Sequence, residues 1–470
     1  MEKDFFTHHQ KEFLKDLKRL VDIDSSRSVE EADMPYGKGP AAALKEALKI
    51  AEEHGLYTEN WNHYIGIVQL EKSDETVPRK LDILAHLDVV PGGSGWTKTR
   101  PFDMIEEGGV VYGRGTADDK GPLLAAIYAL YAVKERNIPL KGTVRLVLGC
   151  DEESGSSDLG YYYSKTQPAE MSFSPDSEYP LINAEKGFCM IGLSAAIEDV
   201  LPTLPRITWL DSGERCNVVP DHAYAVVKGL STAMVAEYMK EAAKGSGLAL
   251  QICDSDRGVE IKVFGKSAHA SKPEEGINAL TGILMLLAAL PLQGDPTFEK
   301  LCILRQLFPH GCYYGQEAGL SMEDSVSGKL TTSLNVLHFD GRKLDCQIDI
   351  RVPVHVDKKA LGVFEKSIRG KGFHIKTEFS EAHYVSEDSN FVQTLLKNYE
   401  KITGQEGFCQ SSGGATYVHH IDNGVAFGCA VPGVDNHMHG PDEFVEIDVL
   451  LDSGRIFTEC IIALCGEEKI

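Results

Sequence analysis

Three short apolar runs in this chain end in side chains that carry charge or bind metal. Leu81–Ala85 stops at His86, Thr143–Gly149 runs into Asp151, Glu152 and Glu153, and Met171–Ser174 is followed by Asp176. Each run has the length of a strand, and helix-like segments intervene over Lys120–Arg136 and Ser156–Lys165. Strands alternating with helices predict an α/β sheet with helices on both faces. In such sheets ligands and reactive groups collect beyond the C-terminal ends of the strands.

Around this centre the pattern is regular. Residues 3–21 set Phe6, Phe13, Leu14, Leu17 and Val21 at helical spacing, a second helix over about 40–54 stops at Gly55, and Ile65–Leu70 reads as a strand. Glycine just beyond a helix accepts the left-handed cap conformation. After about residue 186 the character changes. Ala223–Lys228, Thr232–Lys244 and Val259–Phe264 read as strand, helix and strand, and Leu344–Val352, Lys358–Arg369 and His374–Phe379 repeat that order. Such a repeat marks a duplicated β-α-β module, although two common motifs produce it by chance as well. From about 384 the first style returns, with a helix near 389–403, a Gly413-Gly414 turn, a strand at Val425–Gly428 and a last helix over about 446–465.

A length of 470 residues fits two or three domains. The expected organisation is a first segment over 1–186, a second domain over 187–382, and a segment over 383–470 that completes the first. Lys and Arg number 47 against 70 Asp and Glu, a net charge of −23. A surface that acidic repels phosphate backbones and anionic membranes, so neither nucleic acid nor a membrane is an expected partner. The longest apolar run, near Leu280–Leu292, is shorter than the roughly 20 residues of a spanning helix. The first residues lack the apolar core of a secretory signal. Eleven cysteines form no Cys-x-x-Cys pair, which predicts reduced thiols in a cytoplasmic protein.

The polar strand ends have a shared chemistry. A metal-binding histidine hands its second ring N–H to a carboxylate, and Asp88 stands near enough to His86 to take it, as a plain polar turn would also arrange. Gly113-Arg-Gly-Thr-Ala-Asp118-Asp119-Lys120-Gly121 turns tightly into a helix. One acid there would be a cap, but two acids and a lysine exceed what a cap needs, and a carboxylate can bridge two metals. In Asp151-Glu152-Glu153 the neighbouring carboxylates repel, which demands a cation or a pKa shift. One glutamate of that pair could bind metal while its neighbour acts as a base; a solvated acidic helix start needs neither role. Asp176 after the third run and His439 in His437-Met-His-Gly-Pro-Asp442-Glu443 complete the series, though a polar loop alone would explain the latter. Together His86, Asp118, Glu153, Asp176 and His439 offer mixed nitrogen and oxygen donors. Such a set suits zinc, cobalt or manganese better than calcium or a Cys-rich structural zinc.

In combination these stretches resemble the dinuclear zinc peptidases that include carboxypeptidase G, aminoacylase and succinyl-diaminopimelate desuccinylase, with PepV-type bacterial dipeptidases the nearest branch. The resemblance rests on HLDVVP at 86–91, GRGTADDKGP at 113–122, DEESGSSD at 151–158, PDSEYPLINAEKG at 175–187, GKSAHAS at 265–271 and HGPDE at 439–443. It implies a discontinuous catalytic α/β domain with a mixed sheet flanked by helices, interrupted by an α+β lid of two similar β-α-β modules. It also implies two divalent ions per chain, zinc foremost, with manganese or cobalt as alternatives. His86 and Asp176 would hold one ion, Glu153 and His439 the other, and Asp118 would bridge them. Asp118 is chosen over Asp119 because the family's bridging acid stands two residues before the lysine of its DxKG motif, and His439 over His437 by the spacing His-x-x-Asn/Asp-Glu. Glu152 would be the general base and Asp88 would orient His86. From the lid, His269 would polarise the scissile carbonyl, Asn217 and Arg351 would bind substrate, and the turn Gly413-Gly414-Ala415-Thr416 would hold its carboxylate through backbone amides. On the residues alone, His269 could cap a turn and Arg351 could pair with a lid acid.

The implied reaction is hydrolysis of unblocked dipeptides. A water bridging two cations gives up a proton near neutral pH, and Glu152 takes it before returning it to the leaving amine. An N-acyl amino acid deacylase or desuccinylase could use the same residues. A purely binding protein would not need Glu152, and a scaffold would not need the ligand set. The expected partners are small peptides, the substrate amine is expected to meet a carboxylate with Glu198 and Asp199 as candidates, and the expected assembly is a monomer because both modules lie in one chain.

Overall fold

The computed structural model describes residues 4–74, 76–197 and 204–467. The chain divides into two compact units, one of residues 1–184, 383–411 and 415–470, the other of residues 185–382 and 412–414.

In the first unit, helix α1 (Phe5–Val21) starts where Asp4 accepts the amide hydrogen of Phe6 at 3.1 Å, and it buries Phe6, Phe13, Leu17, Leu20 and Val21. Helix α2 (Lys38–Glu53) follows, then the strands β1 (Tyr57–Trp61), β2 (Ile65–Gln69) and β3 (Arg79–His86). Helix α3 (Lys120–Glu135) lies between β3 and β4 (Thr143–Gly149), and β5 (Met171–Ser174) and β6 (Leu181–Glu185) come next. After the second unit the chain returns through β7 (His383–Tyr384), α4 (Asn390–Thr403), β8 (Gly424–Ala426) and α5 (Ile447–Cys465). The strand order is β1-β2-β4-β3-β5-β8-β6-β7. The centre of this mixed sheet is parallel: β3 runs with β4 and β5, and β8 runs with β5, while β1, β2 and β4 alternate in direction. Every residue of β4 is buried, as the centre of a two-sided parallel sheet requires. Helix α3 is buried on nearly all sides, which its run of Leu, Ala, Ile and Tyr permits.

The second unit is built on one antiparallel sheet of eight strands. In chain order these are β9 (Gly187–Ala196), β10 (Arg206–Ser212), β11 (His222–Lys228), β12 (Ala249–Ser255), β13 (Gly258–Phe264), β14 (Thr331–Phe339), β15 (Lys343–Val352) and β16 (His374–Ser380). They lie in the order β12-β13-β11-β10-β14-β15-β9-β16. Val259, Ile261 and Val263 of β13 are buried while Glu260 and Lys262 between them are not, the alternation of a sheet covered on one face. Two four-strand halves meet where Leu210 pairs with Phe339 and Ser212 with Leu337. In the first half the helix Thr232–Ala242 joins β11 to the edge strand β12; in the second the helix Lys359–Gly370 joins β15 to the edge strand β16. The fourth strand of the first half is β13, and its counterpart is β9, which precedes the whole unit in sequence.

This duplication differs in detail from the sequence pattern. The sequence aligns Val259–Phe264 with His374–Phe379, whereas β12 is the topological partner of β16. Strand β12 escapes sequence reading because it is an edge none of whose residues is buried, so its apolar signal is weak. The apolar run near 280 is the helix Ala279–Leu287, capped by Asn278, and a further helix, Pro296–Leu307, is capped by Asp295, which accepts from the amide of Thr297 at 2.9 Å. No helix among the described residues is long and apolar enough to cross a membrane.

Candidate metal centre

The first unit brings its polar strand ends to one level. His86 closes β3 opposite Gly149, the last residue of β4, and Leu87 N donates to Gly149 O at 2.9 Å. Beyond β4 the chain turns through Asp151, Glu152 and Glu153. That turn is held from beneath by two buried carboxylates. Asp88 accepts from Glu152 N and Glu153 N, both at 3.1 Å, and Asp158 accepts from Cys150 N at 2.6 Å and Asp151 N at 2.9 Å. Tyr417 completes Asp158 with its hydroxyl at 2.6 Å.

The sequence assigns the Asp88 carboxylate to the His86 ring. In the structure the nearer atom is the Asp88 main-chain oxygen, 2.9 Å from His86 Nδ1, with the carboxylate at 3.5 Å. The carboxylate is already engaged by the two glutamate amides. The orienting residue is the same, but its acceptor is the carbonyl. A carbonyl accepts only, so Nδ1 carries a hydrogen, and Nε2 is the nitrogen left to bind a metal.

Asp118 and His439 arrive on loops tied to each other. Gly115 has φ +90°, and a side chain there would lie 2.9 Å from Lys120 Cδ, so only glycine fits the turn into α3. Glu443 Oε1 accepts from Gly115 N at 2.9 Å, Ala117 N at 3.0 Å and Asp118 N at 3.3 Å, while Oε2 takes Arg114 Nη1 at 2.6 Å. Arg114 Nη2 also reaches Gly440 O at 3.0 Å, next to His439. Asp119 faces the other way, accepting from His86 N at 3.1 Å.

The five expected metal ligands form two groups that share one member. His86, Asp118 and Asp176 make the first, and Asp118, Glu153 and His439 the second, with the ligand atoms of each within 4.8 Å of one another. Asp118 Oδ1 lies 3.0 Å from His86 Nε2, and Oδ2 lies 2.9 Å from His439 Nε2. Asp176 Oδ2 is 3.5 Å from His86 Nε2, and Glu153 Oε1 is 3.1 Å from His439 Nε2.

The electrostatics ask for cations. Burial raises the carboxyl pKa values of Glu152, Glu153, Asp176 and Asp119; their acidic neighbours add to the rise and the histidines oppose it. Asp118 alone is lowered: burial opposes its charge, but His439 and His86 outweigh it. His86 Nε2 is fully buried and makes no hydrogen bond among the described residues. Facing two carboxylate oxygens, that nitrogen needs a positive partner. Burial opposes a charge on the ring, but without a metal the acids hold its pKa well above the usual imidazole range, and once its proton leaves, Nε2 is an acceptor among acceptors. Divalent ions fit that arrangement, with mixed N and O donors, a carboxylate common to both groups and a histidine whose second nitrogen is fixed by a carbonyl.

The expected substrate-binding residues lie elsewhere in the chain. Asn217, His269, Arg351, Gly413 and Gly414 belong to the second unit, and Ala415 to the first. Arg351 is engaged: Nε and Nη2 bind Asp349, each at 2.7 Å, and Nη1 binds Gly413 O at 2.8 Å, so it pairs with an acid of its own unit. Gly414 N donates to Ser412 Oγ at 2.9 Å. Glu198 and Asp199 lie outside the described residues.

Two supporting residues have no assigned role in the sequence. Glu443 was visible within HGPDE, where it reads as an acid at a helix start. Asp158 was visible within DEESGSSD, and its capping of the preceding turn follows from its place one short turn later.

The model of "Peptidase family M20/M25/M40" matches residues 83–463. The β-Ala-Xaa dipeptidase of Lactobacillus delbrueckii subsp. lactis is 34% identical over 473 residues, covering 97% of each chain. The putative dipeptidase YtjP of Bacillus subtilis (strain 168) is 33% identical over 440 residues, covering 92% of each. Among solved structures, the aminoacylhistidine dipeptidase of Vibrio alginolyticus shares the fold with a TM-score of 0.58 at 15% identity, over 97% of each chain.

Proposed function

As a member of peptidase family M20/M25/M40 this chain is a peptide-bond hydrolase, and we propose that it is a metal-dependent dipeptidase acting on unblocked dipeptides. The observation that carries the reading is the pair of ligand groups joined at Asp118, with Glu152 beside them in the turn that Asp88 fixes. Full-length relatives named dipeptidases support the substrate class.

In this reading His86 and Asp176 would hold one divalent ion, Glu153 and His439 would hold a second, and Asp118, which belongs to both groups, would contribute to each. Zinc is the first choice for such a donor set, with manganese or cobalt next. Bound there, the ions supply Lewis-acid polarisation and lower the proton affinity of water. The rest falls to the chain itself. Glu152 takes a proton from the attacking water, whose oxygen bonds to the peptide carbon. As the C–N bond breaks, Glu152 returns that proton to the leaving amine, giving two free amino acids. His269 donates to the developing oxyanion, and Asn217 with the Gly413–Ala415 turn binds the dipeptide's polar ends. Arg351 supports that turn through Gly413 O and borders the carboxylate subsite. The first unit is then the catalytic domain and the second its lid. The same reading makes the protein a cytoplasmic monomer with small peptides as partners and no nucleic acid or membrane, in keeping with its charge of −23 and its free cysteines.

The test is a hydrolysis panel with metal content measured on the same sample. Free α- and β-alanyl dipeptides should be cleaved, chelation should abolish the activity, and zinc, cobalt or manganese should restore it. Equal rates on N-acetylated dipeptides, or on N-acyl and N-succinyl amino acids, would favour the deacylase. Full activity in verified metal-free protein would end both readings.

A further inference from the structure

Within the second unit a two-residue ribbon sets His269 beside Asn217. Val218 pairs with His269 and Val219 with Ala268 in antiparallel register, and Ala270 N donates to Asn217 O at 2.9 Å. Immediately after the ribbon the chain folds back on the imidazole. Ser271 N donates to His269 Nδ1 at 3.3 Å, and Ser271 Oγ lies 2.7 Å from the same nitrogen. A backbone amide can only donate, so Nδ1 is the acceptor and the neutral ring carries its hydrogen on Nε2. The hydroxyl rotates to donate as well.

We propose that Ser271 is a positioning residue that fixes His269 in the Nε2–H tautomer, so that the ring presents a hydrogen-bond donor to substrate oxygen. The proposal rests on the dipeptidase reading, in which His269 meets the scissile carbonyl. The opposite tautomer would turn a lone pair toward an oxygen that gains negative charge during attack, and the stabilisation would be lost. The serine is itself held in place. A side chain at Gly413 would come within 2.7 Å of Ser271 Cβ, and Gly413 is fixed through its carbonyl by Arg351 at 2.8 Å. The bare backbone at Gly413 therefore leaves the room that Ser271 occupies, and through it the tautomer of His269 is coupled to the turn expected to bind the substrate carboxylate.

The test uses the full-length, metal-loaded protein labelled with 15N-histidine, with His269→Gln identifying the His269 signals by their disappearance. Near neutral pH the unsubstituted chain should show an unprotonated Nδ1 and a protonated Nε2 at His269. Ser271→Ala removes the hydroxyl donor. It should shift these ring signals toward a mixture of tautomers and lower kcat about 3- to 10-fold, the worth of one hydrogen bond, with KM nearly unchanged. A hydrogen on Nδ1 in the unsubstituted chain would overturn the proposal, and so would ring signals that Ser271→Ala leaves in place, whatever kcat does. A chain inactive on every dipeptide would sink the dipeptidase reading instead, and the ring signals would still decide the tautomer.

Discussion

Arg114 donates to Glu443 at 2.6 Å with both side chains buried, and this pair ties the loop that carries Asp118 to the loop that carries His439. The two loops are far apart in sequence, the paired residues standing 329 positions from each other. Glu443 also gathers the amides of Gly115, Ala117 and Asp118, so it sets the height at which the shared carboxylate stands.

Glu443→Gln should therefore weaken metal binding without touching a ligand. Its oxygen can still accept from the amides, but its NH2 group faces the Arg114 guanidinium where a carboxylate stood. Supporting residues of this kind typically change metal affinity about 10- to 100-fold. Competition with a chromogenic chelator would measure it. Glu443→Ala should cost stability as well, about 3–5 kcal/mol, because Arg114 is left as a buried charge without its partner. Unchanged chelator competition in the Gln variant would show that the loops hold their positions without this pair.

Replacing a ligand and replacing the base should separate metal content from turnover. Asp118 belongs to both ligand groups, so Asp118→Ala should reduce bound metal to less than one ion per chain. Glu152 belongs to neither group, so Glu152→Gln should keep its metal and lose at least about 100-fold in kcat. Elemental analysis beside a dipeptide assay distinguishes the two. Normal turnover in metal-loaded Glu152→Gln would remove Glu152 from the role of base.

Metal loading should release protons. In the metal-free chain the contacts with Asp118 and Glu153 push His439 up to about 11. Burial works against a charge on His86, but Asp118, Asp176 and Asp88 outweigh it and hold that ring well above the usual imidazole range. Both raised pKa values mean that both rings carry an extra proton at neutral pH. A nitrogen must be bare to bind metal, so filling both groups should release up to two protons per chain, one each from His86 and His439. The sign follows: protons compete with metal, and affinity rises with pH throughout the neutral range. Calorimetry in buffers of different ionisation enthalpy counts the protons. Zinc uptake with no proton release would exclude these imidazoles as ligands.

What could be read from the sequence follows the range of the physics involved. Strands β3, β4 and β5 and helix α3 are legible because their apolar pattern is local, and the acids that follow them stand out against it. The edge strand β12 is not, because an exposed edge has little apolar signal. Nor is the use of β9 as the fourth strand of the second half, since nothing near Gly187–Ala196 records a partner at Lys343–Val352. Within the site, the ligand types were legible as residues out of place in a hydrophobic run. The division of labour within Asp88, main-chain oxygen to His86 and carboxylate to Glu152 and Glu153, depends on the curvature of a turn that residue identity does not encode.

The last expectation concerns assembly. The sheet of the second unit contains both four-strand halves, hydrogen-bonded to each other through β10 and β14 within one chain. A chain with only one such half would have to borrow the other from a second copy, at a cost in concentration dependence. Here the junction is intramolecular, and the net charge of −23 opposes association further, though weakly where salt screens it. Catalysis should therefore be complete in a single chain. Mixing the inactive variants Glu152→Gln and His269→Ala gives the measurement, since each carries the residue the other lacks. The mixture should stay as inactive as its components at any protein concentration, and light scattering on the unsubstituted chain should return one chain's mass, 51.5 kDa. Activity that appears on mixing and grows with concentration would mean that His269 serves a neighbouring chain, and the single-chain reading would be wrong.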